Sequence, residues 1–226
     1  MLLTSDDWLN AEVSDLPPRE GGAIVGIDLG GSASMSAAAL YWPNTGRLEA
    51  FGCFPSSPAL TDRGRSDGVR DRYIEMYDRG ELRVMGERVV PAPAFLRAIM
   101  DQLGDAPVKC FVADRYRQAE FEEALAAAKI RVPVVWRGMG FKDGGEDTER
   151  FRSAVFDDRV AVTPSLLLRS ALSDAVTITD PAGNMKLAKA RSTGRIDAAA
   201  ATVLAVAEGI RQINKPHVDV REPMWT

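Results

Sequence analysis

The chain has 226 residues, 46% hydrophobic and 27% charged, with a formal net charge of −4. That length buries a core without staples, and the acidic balance argues against a uniformly basic nucleic-acid binder, so any contact with nucleic acid must come from local clusters. Two lone cysteines, Cys53 and Cys110, and one histidine, His217, argue against a disulfide framework, a zinc site and histidine-based catalysis. Chemistry here falls to carboxylates, lysines and arginines.

In chain order, residues 1–22 show little periodicity and end in DLPPREGG, which reads as a linker or the tail of a preceding domain. The compact domain is expected from residue 23 to residue 212. AIVGIDL is a short apolar run rich in β-branched residues, the pattern of a buried central strand. SAAALYW and RLEAFGCF flank PNTG, a hairpin signal, so the first three strands are expected to form an antiparallel meander. Residues 55–67 are rich in Pro, Ser, Gly and Asp and read as a loop. Helical patterns follow at 68–79 and at 92–103, where Phe95, Ile99 and Leu103 share a face. VKCFVADRY reads as a second buried strand, 117–129 as a helix and VPVVW as a strand, a parallel unit with a right-handed crossover. RGMGFKDGGED reads as a glycine-rich loop, with helices at about 147–157 and 164–174 after it. VTITD-PAGN-MKLAK reads as a second hairpin, with Asp180 at its turn. IDAAAATVLAVAEGIRQ is a strong helix, and 213–226 reads as a flexible tail.

This order predicts an α/β fold, a mixed five-stranded sheet with helices on both faces and an extra hairpin. No apolar run is long enough for a membrane span. The start, MLLTSDDWLN, has acids where an export signal has basic residues. A cytoplasmic protein, neither exported nor membrane-bound, is therefore expected.

Three aspartates sit at informative places. Asp28 ends the first buried strand, where an unpartnered charge is costly. Asp114 ends the second buried strand, and Asp197 lies in the first turn of the last helix. If the two strands are neighbours, both carboxylates emerge at one sheet edge, with the helix beneath it. Converging carboxylates suit hard cations held through oxygen, and with no histidine available Mg²⁺ or Mn²⁺ is the sensible choice. Each acid also has a plainer reading. Asp28 could serve a turn or a phosphate loop, Asp114 could cap a helix or pair with Arg115, and Asp197 could favour a helix start, an effect of about 0.3–1 kcal/mol. Basic residues cluster at Arg63, Arg65, Arg70 and Arg72 and again at Lys186, Lys189, Arg191 and Arg195, and either cluster could be a solvated face.

The ordered set GIDLGGS, VADRYR and GNMKLAK…GRIDAAAATVLA resembles the nuclease domain of large terminase subunits of tailed bacteriophages and prophages. The resemblance spans roughly residues 20–212; the hairpin followed by I-D-A-A-A-A is its most specific part. It implies an RNase H-like fold and a two-metal endonuclease that cuts double-stranded DNA with little sequence preference, leaving 5′-phosphate and 3′-hydroxyl ends. It implies that Asp28, Asp114 and Asp197 hold two ions, about 3.5–4 Å apart in such sites, with Asp28 bridging them. Lys186 and Lys189 become candidate catalytic residues that place the scissile phosphate, although their i,i+3 spacing sends them to opposite faces of a regular strand. Arg115, Arg117, Lys186, Lys189, Arg191 and Arg195 become candidate DNA contacts. Implied partners are an ATPase motor domain, a portal and a small terminase subunit, in the cytoplasm of an infected or lysogenic bacterium. The motor's G-x-x-x-x-G-K-[ST] loop does not occur in the chain, so the chain reads as an excised domain or as a split or degenerate version. Two rival readings share the core: a sugar kinase or actin-like ATPase, through GIDLGG as a phosphate loop, and a resolvase- or transposase-like nuclease. A third is a non-enzymatic packaging module.

Overall fold

AIVGID forms the central strand because all but its last residue can be buried on both sides: β1 spans Ala23–Asp28 and is buried from Ala23 to Ile27. The computed structural model describes residues 2–32, 34–189, 192 and 194–214. β1 pairs antiparallel with β2 (Ser36–Trp42), which pairs antiparallel with β3 (Arg47–Phe54), giving the expected meander. On its other side β1 pairs parallel with β5 (Val108–Asp114), and β5 with β6 (Val134–Arg137).

The sheet has six strands, not five. A short β4 (Leu82–Val84) adds in parallel to the outer edge of β3, giving the order β4-β3-β2-β1-β5-β6. Three residues between glycine-bearing turns are too few to display a period of two, so periodicity predicts no strand there.

Helices cover both faces. α4 (Ala92–Leu103) and α5 (Gln118–Ala128) pack on one, through Phe95, Ile99 and Phe121. The other face carries α6 (Phe141–Phe156), α7 (Leu166–Asp174) and the long α8 (Asp197–Ile213). α8 is buried on every side from Ala198 to Gly209, a stretch that is alanine-rich and apolar apart from Thr202 and Glu208. Small residues let it lie directly on the sheet. A Cβ at Gly26 of β1 would stand 2.0 Å from the Ala201 carbonyl oxygen and 2.7 Å from the Ala205 nitrogen. β7 (Thr177–Thr179) and β8 (Met185–Leu187) form the expected hairpin. Asp180 closes its turn by accepting the Ala182 and Asn184 amides at 2.9 and 2.8 Å.

Three local expectations change. Within the segment read as a linker or the tail of a preceding domain, residues 2–13 carry a short helix and pack on the core. α1 (Ser5–Leu9) opens with a Thr4–Asp7 capping box, and Leu2, Leu3, Trp8 and Ala11 join the core with Phe151 and Leu168. The Val13 amide then donates to the Val162 carbonyl at 2.9 Å. A five-residue helix anchored by one tryptophan has no period to read. The loop at 55–67 contains α2 (Leu60–Ser66), and the helix at 68–79 shortens to α3 (Arg72–Asp78). Buried Arg63 organises this turn by donating to the Ser57, Pro58 and Pro55 carbonyls at 2.7, 2.9 and 3.2 Å. Finally, the glycine-rich segment from Phe141 is helical, not a loop. Gly144 and Gly145 sit in the first turns of α6, where a bare backbone fits against Met139 and Asn184. The tail from 215 onward lies outside the described residues. Among the described residues, no helix is long and apolar enough to cross a membrane.

Candidate metal centre

Asp28 and Asp114 emerge side by side at the C-terminal edge of neighbouring parallel strands. The β1–β5 register pairs Ile27 with Ala113, the residues just before each acid. This is the edge at which parallel sheets present their functional groups. Asp197 joins them from the first position of α8, which is fixed against β1 by the close approach at Gly26. The topology therefore delivers all three acids to one end of the sheet.

They are not equivalent. Lys189, just beyond β8, donates from Nζ to Asp28 Oδ2, and the same Nζ lies 3.6 Å from Asp197 Oδ1. One ammonium thus bridges two carboxylates. Asp114 instead accepts the Tyr116 amide at 3.0 Å and caps the 3₁₀ turn Arg115–Arg117. Among the described residues, no three acids converge closely enough in this arrangement to hold an ion together.

The electrostatics match that geometry. Burial pushes the Asp28 carboxyl up, the Lys189 ammonium pulls it down and the charges of Asp197 and Asp114 push it up again, leaving it at about 6. Burial would lower the Lys189 ammonium, but Asp28 and Asp197 together hold it above its ordinary value. A half-buried carboxylate beside two others is here balanced by one cation, Lys189. The acids' donors are all oxygen, the set that suits Mg²⁺ or Mn²⁺, and the chain's one histidine lies outside the described residues.

Most of the basic residues singled out in the sequence are engaged within the protein. Arg117 donates from Nη1 to the carbonyls of Leu29 and Gly30, and pairs with Glu120 at 2.5 Å. It pins the loop that follows Asp28. Arg195 pairs with Asp67 at 2.8 Å, and Tyr73 donates to the same carboxylate at 2.8 Å. Lys186 donates to the Met139 carbonyl at 3.0 Å with its ammonium over the Phe141 ring, tying the hairpin to the start of α6 and not to the acids. Among the described candidates for DNA contact, Arg115 is the exception. Its side chain is 62% exposed and its ion-pair partner is Asp143 at 3.6 Å. Arg191 lies outside the described residues.

These assignments separate two arginines only two residues apart. Arg117→Ala should cost about 1.5 kcal/mol, the value of hydrogen bonds from a charged donor, and lower Tm by about 4 °C. Arg115→Ala should leave Tm unchanged, because an exposed pair contributes little. Thermal melts followed by circular dichroism check both, and equal Tm values for the two variants would contradict the assignment.

Sequence reasoning missed a charged cluster behind the site. Arg137, at the end of β6 and in register with Asp114, donates to Asp147 at 2.8 and 2.9 Å. Arg211 of α8 reaches the same carboxylate and also Glu208. Asp147 and Glu208 are both buried. The cluster ties β6, α6 and α8 together, so the strand beside Asp114 and the helix bearing Asp197 move as one. The i,i+3 spacing of Glu208 and Arg211 was visible in the sequence, but the convergence of α6 and β6 on them was not.

Residues 1–212 match the family model described as terminase large subunit, endonuclease domain. The chain is 30% identical over 150 residues to the terminase large subunit of Enterobacteria phage HK97, an alignment covering 66% of this chain and 30% of that protein. Its fold superposes on the crystal structure of the HK97 bacteriophage large terminase with a TM-score of 0.81 at 26% identity, over 92% of this chain and 43% of that one. The large terminase nuclease of thermophilic phage G20c with bound magnesium shares the fold, with a TM-score of 0.53 at 14% identity over 87% and 86% of the two chains. The chain therefore spans less than half the length of the HK97 protein.

Proposed function

The chain belongs to the family of terminase large-subunit endonuclease domains, and from that premise we propose that it hydrolyses double-stranded DNA with divalent metal, as the cutting part of a viral packaging machine. The observation that carries this reading is the half-buried Asp28 carboxylate sharing one cation with Asp197 at the C-terminal edge of the parallel strands. An oxygen-only pocket that already needs a positive charge is suited to Mg²⁺ or Mn²⁺. The G20c nuclease, of the same fold, has bound magnesium.

Asp28, Asp114 and Asp197 would hold two such ions, with Asp28 shared between them. Bound there, they supply a water activated at neutral pH and neutralisation of the departing 3′ oxygen. The protein's part is to hold the acids rigidly, through the Gly26 contact with α8 and the Arg137–Asp147–Arg211 cluster. Asp114 would trade part of its capping role for a ligand role. Lys189 is the ammonium nearest the acids and would contact the scissile phosphate. Exposed Arg115 would contact the backbone, which positions DNA without reading its sequence. Low sequence preference follows from such contacts. The motor domain, the portal and the small terminase subunit would bring the DNA, in the cytoplasm of the infected host.

The test is conversion of supercoiled plasmid by the purified chain in Mn²⁺. Cutting should need the metal, stop with EDTA and proceed without ATP. Asp197→Asn should slow it by more than about a hundredfold, beyond the cost of losing a residue that merely supports a ligand. Intact plasmid with the unaltered chain, or equal cutting by Asp197→Asn, would sink the reading.

A further inference from the structure

The acids of this site are held together by the protein's own cation. Lys189 Nζ bonds Asp28 Oδ2 and lies 3.6 Å from Asp197 Oδ1. Among the described residues no other cation pairs with either carboxylate. The nearby arginines are engaged elsewhere: Arg117 with Glu120 and the Leu29 and Gly30 carbonyls, Arg137 with Asp147, Arg195 with Asp67. Lys189 sits just past a three-residue strand, on a long flexible stem, and its side chain is 42% exposed.

A magnesium ion needs oxygens at about 2.0–2.1 Å. An ion at that distance from both Asp28 and Asp197 would occupy the space in which Nζ now stands. Two positive charges cannot share that gap. We propose that Lys189 and a divalent ion are mutually exclusive occupants of the Asp28–Asp197 gap, so that metal loads only by expelling the lysine ammonium. The inference rests on the metal-site reading above and adds a competition to it. The lysine neutralises the acids when metal is absent and weakens metal binding by the same amount. Once expelled, the ammonium stays tethered beside the acids, where a DNA phosphate can receive it. DNA therefore favours the lysine-out state, and with it metal loading, as linkage between two ligands requires.

The experiment is Mn²⁺ binding to the metal-free chain by calorimetry, with no DNA and no cleavage readout. A unit charge about 4 Å away is strongly felt even at a surface-like dielectric, so Lys189→Met should bind Mn²⁺ at least about tenfold more tightly than the unaltered chain. Lys189→Arg, which keeps the charge, should not. Dimethylating the lysines with ¹³C-formaldehyde preserves their charge and reports on the unaltered sequence. The Lys189 methyl resonance should shift saturably as Mg²⁺ is added, whether or not Lys189→Met folds. Unaltered chain that binds Mn²⁺ as tightly as Lys189→Met, or a Lys189 resonance blind to bound Mg²⁺, overturns the competition and leaves the metal-site reading intact. No Mn²⁺ binding by either protein overturns both. Binding by Lys189→Met alone supports the competition in its strongest form.

Discussion

Asp28→Asn should abolish cleavage while making the metal-free protein more stable. In the role proposed above, losing Asp28 would remove several kcal/mol of charge stabilisation at the reacting phosphate, about a thousandfold in rate at 1.4 kcal/mol per decade. Stability moves the other way. The folded-state carboxyl stands at about 6, above the ordinary 3.8. A group with a raised folded pKa favours the fold below its unfolded value, and that contribution is lost as pH rises through 4 to 6. Above pH 6 the ionised Asp28 therefore works against the metal-free fold. Asparagine has the neutral form at every pH. In EDTA at pH 8, Tm should rise by several degrees, while near pH 4 the two proteins should melt together. Plasmid cleavage in Mn²⁺ and paired melts at the two pH values check both halves. A variant that is inactive because it is less stable would contradict the account.

Gly26→Ala should damage fold and site at once. The new Cβ would meet the Ala201 carbonyl oxygen at 2.0 Å and the Ala205 nitrogen at 2.7 Å, both backbone atoms of a helix buried on every side. No side chain can turn away to make room, so strand and helix must part. Overpacking of this kind costs about 3 kcal/mol or more, which for a domain of this size lowers Tm by about 10 °C. The same displacement separates Asp28, two residues along β1, from Asp197, at the head of α8. Mn²⁺ affinity measured well below the new melting temperature should fall with stability. A stable Gly26→Ala that binds metal normally would show that the β1–α8 contact does not set the site.

How much of this was legible in the sequence depended on the range of the interaction involved. Strands β1, β5 and β6 and helix α8 could be read because each is a run whose apolar pattern repeats along the chain. The edge shared by Asp28 and Asp114 followed from strand adjacency, and the β1–β5 pairing supplies it. The isolated glycine of AIVGID went unread, although a glycine inside a strand can mark close backbone approach. The arginines were not legible. Arg117, Arg195 and Lys186 looked like a basic surface, yet each is satisfied by groups distant in sequence: the Leu29 and Gly30 carbonyls, Asp67 and the Met139 carbonyl. Composition reveals a charge but not its partner. The bridging of Asp28 and Asp197 by Lys189 was hidden for the same reason. β4 and α1 were too short to carry a period, and their positions are set by tertiary packing alone.

The loop after Asp28 bears on the GIDLGG segment itself. A nucleotide-binding turn turns its amides outward to form a ring of donors around a phosphate. Here the Gly30 amide is taken by Ser36 Oγ at 3.0 Å, and the carbonyls of Leu29 and Gly30 point at the Arg117 guanidinium. A triphosphate arriving at this turn would meet carbonyl oxygens, which repel it, and an arginine already committed. The same six letters that open a kinase's phosphate cradle here close one, with the Gly30 amide and the Leu29 and Gly30 carbonyls all taken inside the protein.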